Sequence, residues 1–394
     1  MLRESEVVKK AGVRPVQRLA QLDALRGVAA LAVVLSHYAL LFRADSPFQD
    51  VHNWIRAISW TPLYAAFAGH QAVLVFFILS GYVLTAMLER VSGYIPYLWR
   101  RVTRLYLPYF VALMLAVALK SWVYRGPVPD LGHWFNLFWG MPTSLDSVLR
   151  NASFIGHFDT RQYNYAVWSL VQEMRISIVF PVVLLALRRV TWKTALGIAF
   201  ALSLLGGVSY FLLQRGGHAF WADDVVLLHY LLLFVIGALM ALNKDKLAQW
   251  VSHLTRPQMV WLTVVGILSY AYGSVAERYG ITNPLVNDWP GLPGAVLLVL
   301  AALHSSWLIG WLVRPVPLFL GRISYSLYLI HPVVQLTMMY TFYGRLPLLP
   351  LIIVSLAVTV LAAFLLYHLV ELPSIALGKR WFAARRLRVS NSAD

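Results

Sequence analysis

The chain has 394 residues, of which 59% are apolar and only 13% charged, with 33 Lys and Arg against 17 Asp and Glu and no cysteine. A soluble domain is nearer 25% charged, so the composition excludes an ordinary soluble enzyme. The lack of cysteine excludes disulfides, a thiolate nucleophile and Cys-bound zinc or iron–sulfur centres.

A mean hydropathy of +0.66 and many apolar runs of membrane length point to an all-α polytopic membrane bundle. The first twenty residues are polar and basic without a small-residue cleavage site, which predicts no removable signal peptide. Ten apolar segments follow, at about 23–42, 69–88, 105–124, 165–187, 194–213, 224–242, 258–276, 292–311, 318–342 and 349–370, each near the roughly 20 residues a transmembrane helix needs. Between them lie turn-rich stretches such as "YRGPVPDLG" and "NPLVNDWPGLPG". The run "HWFNLFWGM" (133–141) is too short to span and reads as interfacial or re-entrant. The expected organisation is an N-terminal cytoplasmic segment (1–22), a ten-helix membrane domain (23–370) and a cytoplasmic basic tail (371–394).

The charge of +16 is distributed between the apolar segments, so it reads as a topology signal rather than a nucleic-acid footprint. With the N-terminus inside, 23 of the 33 Lys and Arg fall on the cytoplasmic side, the arrangement the positive-inside rule demands. Both termini are then cytoplasmic, in a plasma (inner) membrane of bacterial type.

The first apolar segment, "LDALRGVAALAVVLSHY" (22–38), carries Arg26 and His37. Eleven residues at 100° each leave about 20° after three turns, so the two side chains share a helix face, about 16 Å apart along the axis. With Arg26 at the inner boundary, His37 reaches the region of the bilayer midplane. An ionisable group at that depth is a functional candidate, and imidazole can accept or deliver a proton near neutrality. The plain alternative is a packing histidine bonded to a neighbouring helix. Asp23 is expected to cap this helix and pair with Arg26.

This segment resembles the opening helix of the acyltransferase family 3 integral membrane proteins, whose signature is Arg, ten residues, His. The resemblance continues in order through "VLVFFILSGYVL" (73–84), "YLWRRVTRLYLPY" (97–109), "VWSLVQEMRISIVFP" (167–181), "GRISYSLYLIHPVV" (321–334) and "HLVELPSIALGKR" (368–380). It implies transfer of an acyl group, usually acetyl from acetyl-CoA, to a hydroxyl of a cell-surface or secreted carbohydrate or related metabolite.

Arg100, Arg101 and Arg104 sit at i,i+3 and i,i+4 spacing at the inner end of the third segment. Guanidinium forks bind phosphate oxygens, and acyl-CoA carries several, although basic helix ends also serve topology and anionic lipid. Arg101-x-x-Arg104 matches a second motif of the family, which implies donor binding by this pair; Arg26, at the same depth, is expected either to complete the cradle or to contact the thioester end. Glu173 falls at about the depth of His37, roughly 12 Å below the outer boundary. It is expected to orient the imidazole or else to satisfy a structural network, while Arg175, facing elsewhere, pairs with another acid. The family commonly continues this motif as Glu-Gln-Phe-Tyr; here "EMRIS" stands instead, so roles of those later positions do not carry over.

Ser324, Tyr328 and His331 follow i, i+4, i+7 spacing and form a polar stripe that either lines a cavity or seals an interhelical seam; Pro332 frees a backbone carbonyl beside it. Trp54, Trp60, Trp134, Trp139, Trp221 and Trp289 lie in expected outer loops, where sugar stacking and the interfacial belt explain them equally well. No residue is assigned to the acceptor.

The reading that results is an inner-membrane O-acyltransferase. Acyl-CoA docks from the cytoplasm on Arg26, Arg101 and Arg104, His37 acts as general base or as an acyl-histidine relay, and Glu173 orients it. A carbohydrate or glycolipid acceptor, membrane lipid and a possible separate extracytoplasmic transferase are the expected partners. No metal is expected, since no HExxH or clustered His/carboxylate spacing is present. The rival is a proton-coupled transporter or flippase for an envelope precursor, against which stands the lack of inverted halves with paired interrupted helices.

Overall fold

A computed structural model describes residues 19–42, 47–91, 93–273 and 283–390; nearly all of the expected N-terminal segment lies outside them. The described chain is helical, without named strands. The long helices are α1 (Ala20–Ala39), α2 (Gly69–Leu88), α3 (Tyr94–Val123), α4 (Val167–Leu187), α5 (Trp192–Arg215), α6 (Ala219–Leu242), α7 (Arg256–Tyr272), α8 (Leu292–His304), α9 (Ser306–Leu312), α10 (Pro315–Phe342), α11 (Leu348–Leu366) and α12 (Leu372–Ser390).

Seven helices among the described residues are long and apolar enough to cross a membrane, or eight if α8 and α9, bent by 84°, form one span. Two of the ten expected segments, those that form α7 and α10, fall outside this count for physical reasons. Helix α7 has 17 described residues, at the lower end of the length a crossing needs. Helix α10 is long enough, but Ser324, Ser326, Tyr328, His331 and Gln335 dilute its hydropathy, and they are buried against other helices rather than facing lipid. The expected basic tail begins as helix: α11 runs into α12 through a π-turn at Tyr367–Glu371. Pro373 follows that turn and has no N–H to continue the ladder.

Helix α1 is the central post. It packs on α10 and α2, while α2 packs on α6 and α6 on α5. These approaches depend on glycine, because between helices in lipid close backbone contact replaces hydrophobic driving force. A Cβ on Gly27 would stand 2.2 Å from the Gly321 nitrogen of α10. A Cβ on Gly237 of α6 would stand 2.0 Å from the Ile78 carbonyl oxygen of α2. Asp23 does not cap α1, whose N-terminus has no side-chain cap. It sits in the first turn, 3.8 Å from Arg26, where a negative charge complements the helix dipole.

The segment between α3 and α4 folds over one end of the bundle. Its short helix, Gly132–Asn136, is pinned by the Asn136 side chain, which accepts from the Val128 N–H and donates to the Val128 carbonyl. The run 133–141 therefore folds on the bundle end instead of crossing. Elsewhere a buried polar knot joins four elements: Asp288 accepts from His70 of α2 and from His229 of α6 at 2.9 Å, and His229 meets Ser203 of α5 at 2.9 Å.

Candidate active site

Two layers of polar side chains lie inside the bundle. The first is built on α1, α2, α3, α4 and α10. Arg26, Arg101, Arg104, Glu173, Ser80, Ser169, Ser324 and Tyr328 line a single cavity of about 60 Å³, room for a few water molecules. The sequence-predicted arginines and Glu173 are thus brought together. Arg101 donates from Nη2 to Glu173 Oε1 at 2.7 Å and to Ser177 Oγ at 3.0 Å, and Ser80 donates to the same Glu173 oxygen at 2.9 Å. The ion pair is well shielded, its side chains 7% and 14% exposed. Arg104 has no carboxylate within ion-pair distance among the described residues, and Arg101 Nε is buried without a partner. The cavity wall therefore carries three guanidiniums against one carboxylate, a donor-rich surface suited to anions.

The second layer belongs to His37. Its Nδ1 lies 2.9 Å from His331 Nε2 of α10, with the rings near parallel at 16° and centroids 5.1 Å apart. Tyr165 meets the imidazole edge-on at 4.8 Å, and Trp134 of the folded-over segment lies parallel to it at 6.2 Å. Gln335 holds the backbone beneath, donating to the His37 carbonyl at 3.0 Å while its own carbonyl oxygen accepts from the Tyr165 hydroxyl. The imidazole is half-buried, turned toward polar and aromatic side chains.

Tyr328 joins the layers. Its ring stands 5.8 Å from that of His331, while the residue lines the arginine cavity and its hydroxyl bonds Ser169 Oγ at 2.6 Å. The stripe Ser324–Tyr328–His331 read from helical spacing is thus real: its first two members line the cavity and the third touches His37.

Two expectations need correction. Glu173 does not reach His37; its partners are Arg101 and Ser80, because a guanidinium from α3 supplies the charge a buried carboxylate requires. His37 does not line the arginine cavity; Tyr328 of the cavity wall meets His331, which in turn meets His37, so the cavity of the arginines does not extend to the imidazole in this conformation. Arg175, as expected, faces elsewhere and pairs with Asp224 at 3.1 Å. Arg100, one residue before Arg101, does not line the cavity. Helical spacing does not reveal His331 as the partner of His37, nor Ser80 as a partner of Glu173, since the stretch "VLVFFILSGYVL" carries no charge to mark it.

The family model described as an acyltransferase domain, that of acyltransferase family 3, matches residues 19–368. The chain belongs to this family of multi-pass membrane proteins. Its relatives include nodulation protein 10 of Rhizobium leguminosarum bv. viciae, 25% identical over 390 residues, covering 93% of this chain and 96% of that one. They also include O-acetyltransferase OatA of Staphylococcus aureus strain NCTC 8325, 23% identical over 348 residues, covering 80% of this chain and 54% of the other. The chain spans about half the length of the staphylococcal relatives it matches. No solved structure matches it.

Proposed function

We propose that the protein is an O-acyltransferase of the bacterial inner membrane that moves an acyl group, most simply acetyl, from acyl-CoA to a hydroxyl of an extracytoplasmic carbohydrate or glycolipid. The observation that carries this reading is the stacking of the two layers: a guanidinium-lined cavity whose wall, Tyr328, backs onto an imidazole pair. Arg26, Arg101 and Arg104 offer forked donors to the phosphates of the donor, and by the positive-inside rule this end faces the cytoplasm. A cavity of about 60 Å³ accepts at most the acyl end of the thioester, leaving the phosphate-bearing part to the arginines. Separation of Tyr328 from Ser169 then opens the way to His37, and the acceptor approaches from the side covered by Trp134.

At His37 the chemistry is acyl transfer assisted by a general base. The acceptor O–H gives its proton to the imidazole as its oxygen bonds the thioester carbonyl carbon. The tetrahedral adduct collapses with rupture of the C–S bond, and the sulfur leaves with the electron pair as thiolate, which regains a proton from the imidazolium. Thiolate is a good leaving group, so little protonation is needed in advance. Glu173 acts on the donor side, holding Arg101 in place.

The test is purified protein in lipid nanodiscs with labelled acetyl-CoA and envelope glycan acceptors. Acceptor-dependent consumption of acetyl-CoA with a one-acetyl mass gain on the glycan, lost in His37→Ala, is expected. Acceptor movement across the membrane without thioester consumption would replace this reading with a carrier.

A further inference from the structure

The hydrogen bonds around His331 decide which nitrogen of His37 is basic. His331 Nδ1 lies 3.2 Å from the carbonyl oxygen of Leu327, one turn earlier in α10. Pro332 has no N–H, so the Tyr328 carbonyl beside it lacks its helical donor. A carbonyl oxygen only accepts, so His331 Nδ1 must carry hydrogen. A neutral imidazole has one N–H, which leaves His331 Nε2 as a bare lone pair. The nitrogen facing it at 2.9 Å, His37 Nδ1, must then be the donor. The reverse assignment would set the lone pair of His331 Nδ1 against carbonyl oxygen, acceptor against acceptor.

We infer that His331 is a positioning residue: through the Leu327 carbonyl it locks His37 as the Nδ1–H tautomer and so presents His37 Nε2 as the base. That nitrogen makes no hydrogen bond within the described residues, and the residue is half-buried. The logic is that of a triad in which an acceptor behind the imidazole sets its tautomer, with a neutral imidazole in the place of a carboxylate. As the acceptor proton arrives on Nε2, the Nδ1–H bond to His331 strengthens, and no second charge is buried beside the imidazolium.

This rests on the reading of His37 as base, and the experiment separates the two. In nanodisc assays, His331→Leu, which has no acceptor, is expected to lower kcat about 100-fold with the KM for acetyl-CoA unchanged, because the arginines are untouched. His331→Gln, whose amide can accept from His37 and donate to the Leu327 carbonyl, is expected to recover most of that loss. Solid-state 15N spectra of the wild-type protein should show His37 with Nδ1 protonated and Nε2 bare, a readout that needs no activity and no folded variant. A bare Nδ1 in those spectra overturns the inference, as does His331→Leu with wild-type kcat or a folded His331→Gln as inactive as His331→Leu. His37→Ala with full transfer activity overturns instead the underlying role of His37.

Discussion

Replacing Gly27 by Ala tests whether the helix crossing below the histidine pair sets its geometry. The new Cβ would lie 2.2 Å from the Gly321 nitrogen and 2.3 Å from the Leu320 carbonyl carbon, where ordinary contact begins at 3.4 Å. Because the clashing atoms are backbone, relief requires α1 and α10 to separate by about 1.2 Å rather than a side chain to rotate. A rigid separation of that size would stretch the His37–His331 contact from 2.9 Å to about 4.1 Å, beyond any hydrogen bond. Overpacking of this kind costs about 1–3 kcal/mol, and a misplacement near 1 Å at a reacting group costs about 100-fold in rate. The assay is paired: thermal unfolding in detergent, and acetyl transfer at saturating acetyl-CoA well below the variant's Tm. Gly294→Ala is the control. Its Cβ would meet the Tyr270 nitrogen at 2.3 Å, at the α7–α8 crossing and away from the histidines, so it should lose comparable stability and keep its kcat. A folded Gly27→Ala protein with wild-type kcat would refute the chain of reasoning from glycine contact to imidazole geometry.

Arg104→Ala should raise the KM for acetyl-CoA about tenfold, the equivalent of about 1.4 kcal/mol, with kcat retained; an unchanged KM would remove Arg104 from the donor site. Glu173→Gln should cost about 1.5–3 kcal/mol of stability by removing the charge from its bond to Arg101, while the 15N resonances of His37 stay in place. Movement of those resonances would restore a direct role on the imidazole. Asp288, in the segment before α8, is held well below the usual carboxylate range: burial alone would raise it, but His70 beside it and the bond from His229 outweigh burial. Its folded value lies below the unfolded value of about 3.9. Its contribution is therefore complete above that value and is lost as pH falls toward the folded one. Asp288→Asn should lower Tm at neutral pH and flatten the acid limb of the stability profile, which a pH series of thermal melts would read.

Much of this protein is local and could be read from its residues in order. Apolar length marks the spans, helical periodicity puts Arg26 and His37 on one face and Ser324, Tyr328 and His331 on another, and the ordered motifs announce the family. Those properties follow from backbone geometry repeated every few residues, so they need no knowledge of neighbours. Even there, the basic end of α3 showed three arginines without showing that only Arg101 and Arg104 of them line the cavity. Tertiary structure alone decided who meets whom. His37 takes His331, 294 positions away, and Glu173 takes Arg101, although depth in the membrane made His37 and Glu173 look like partners. The physical reason is that depth and face leave the choice of neighbouring helix open. That choice is made where two backbones can touch, as Gly27 and Gly321 allow α1 and α10 to do, and such complementarity is written across distant stretches of chain.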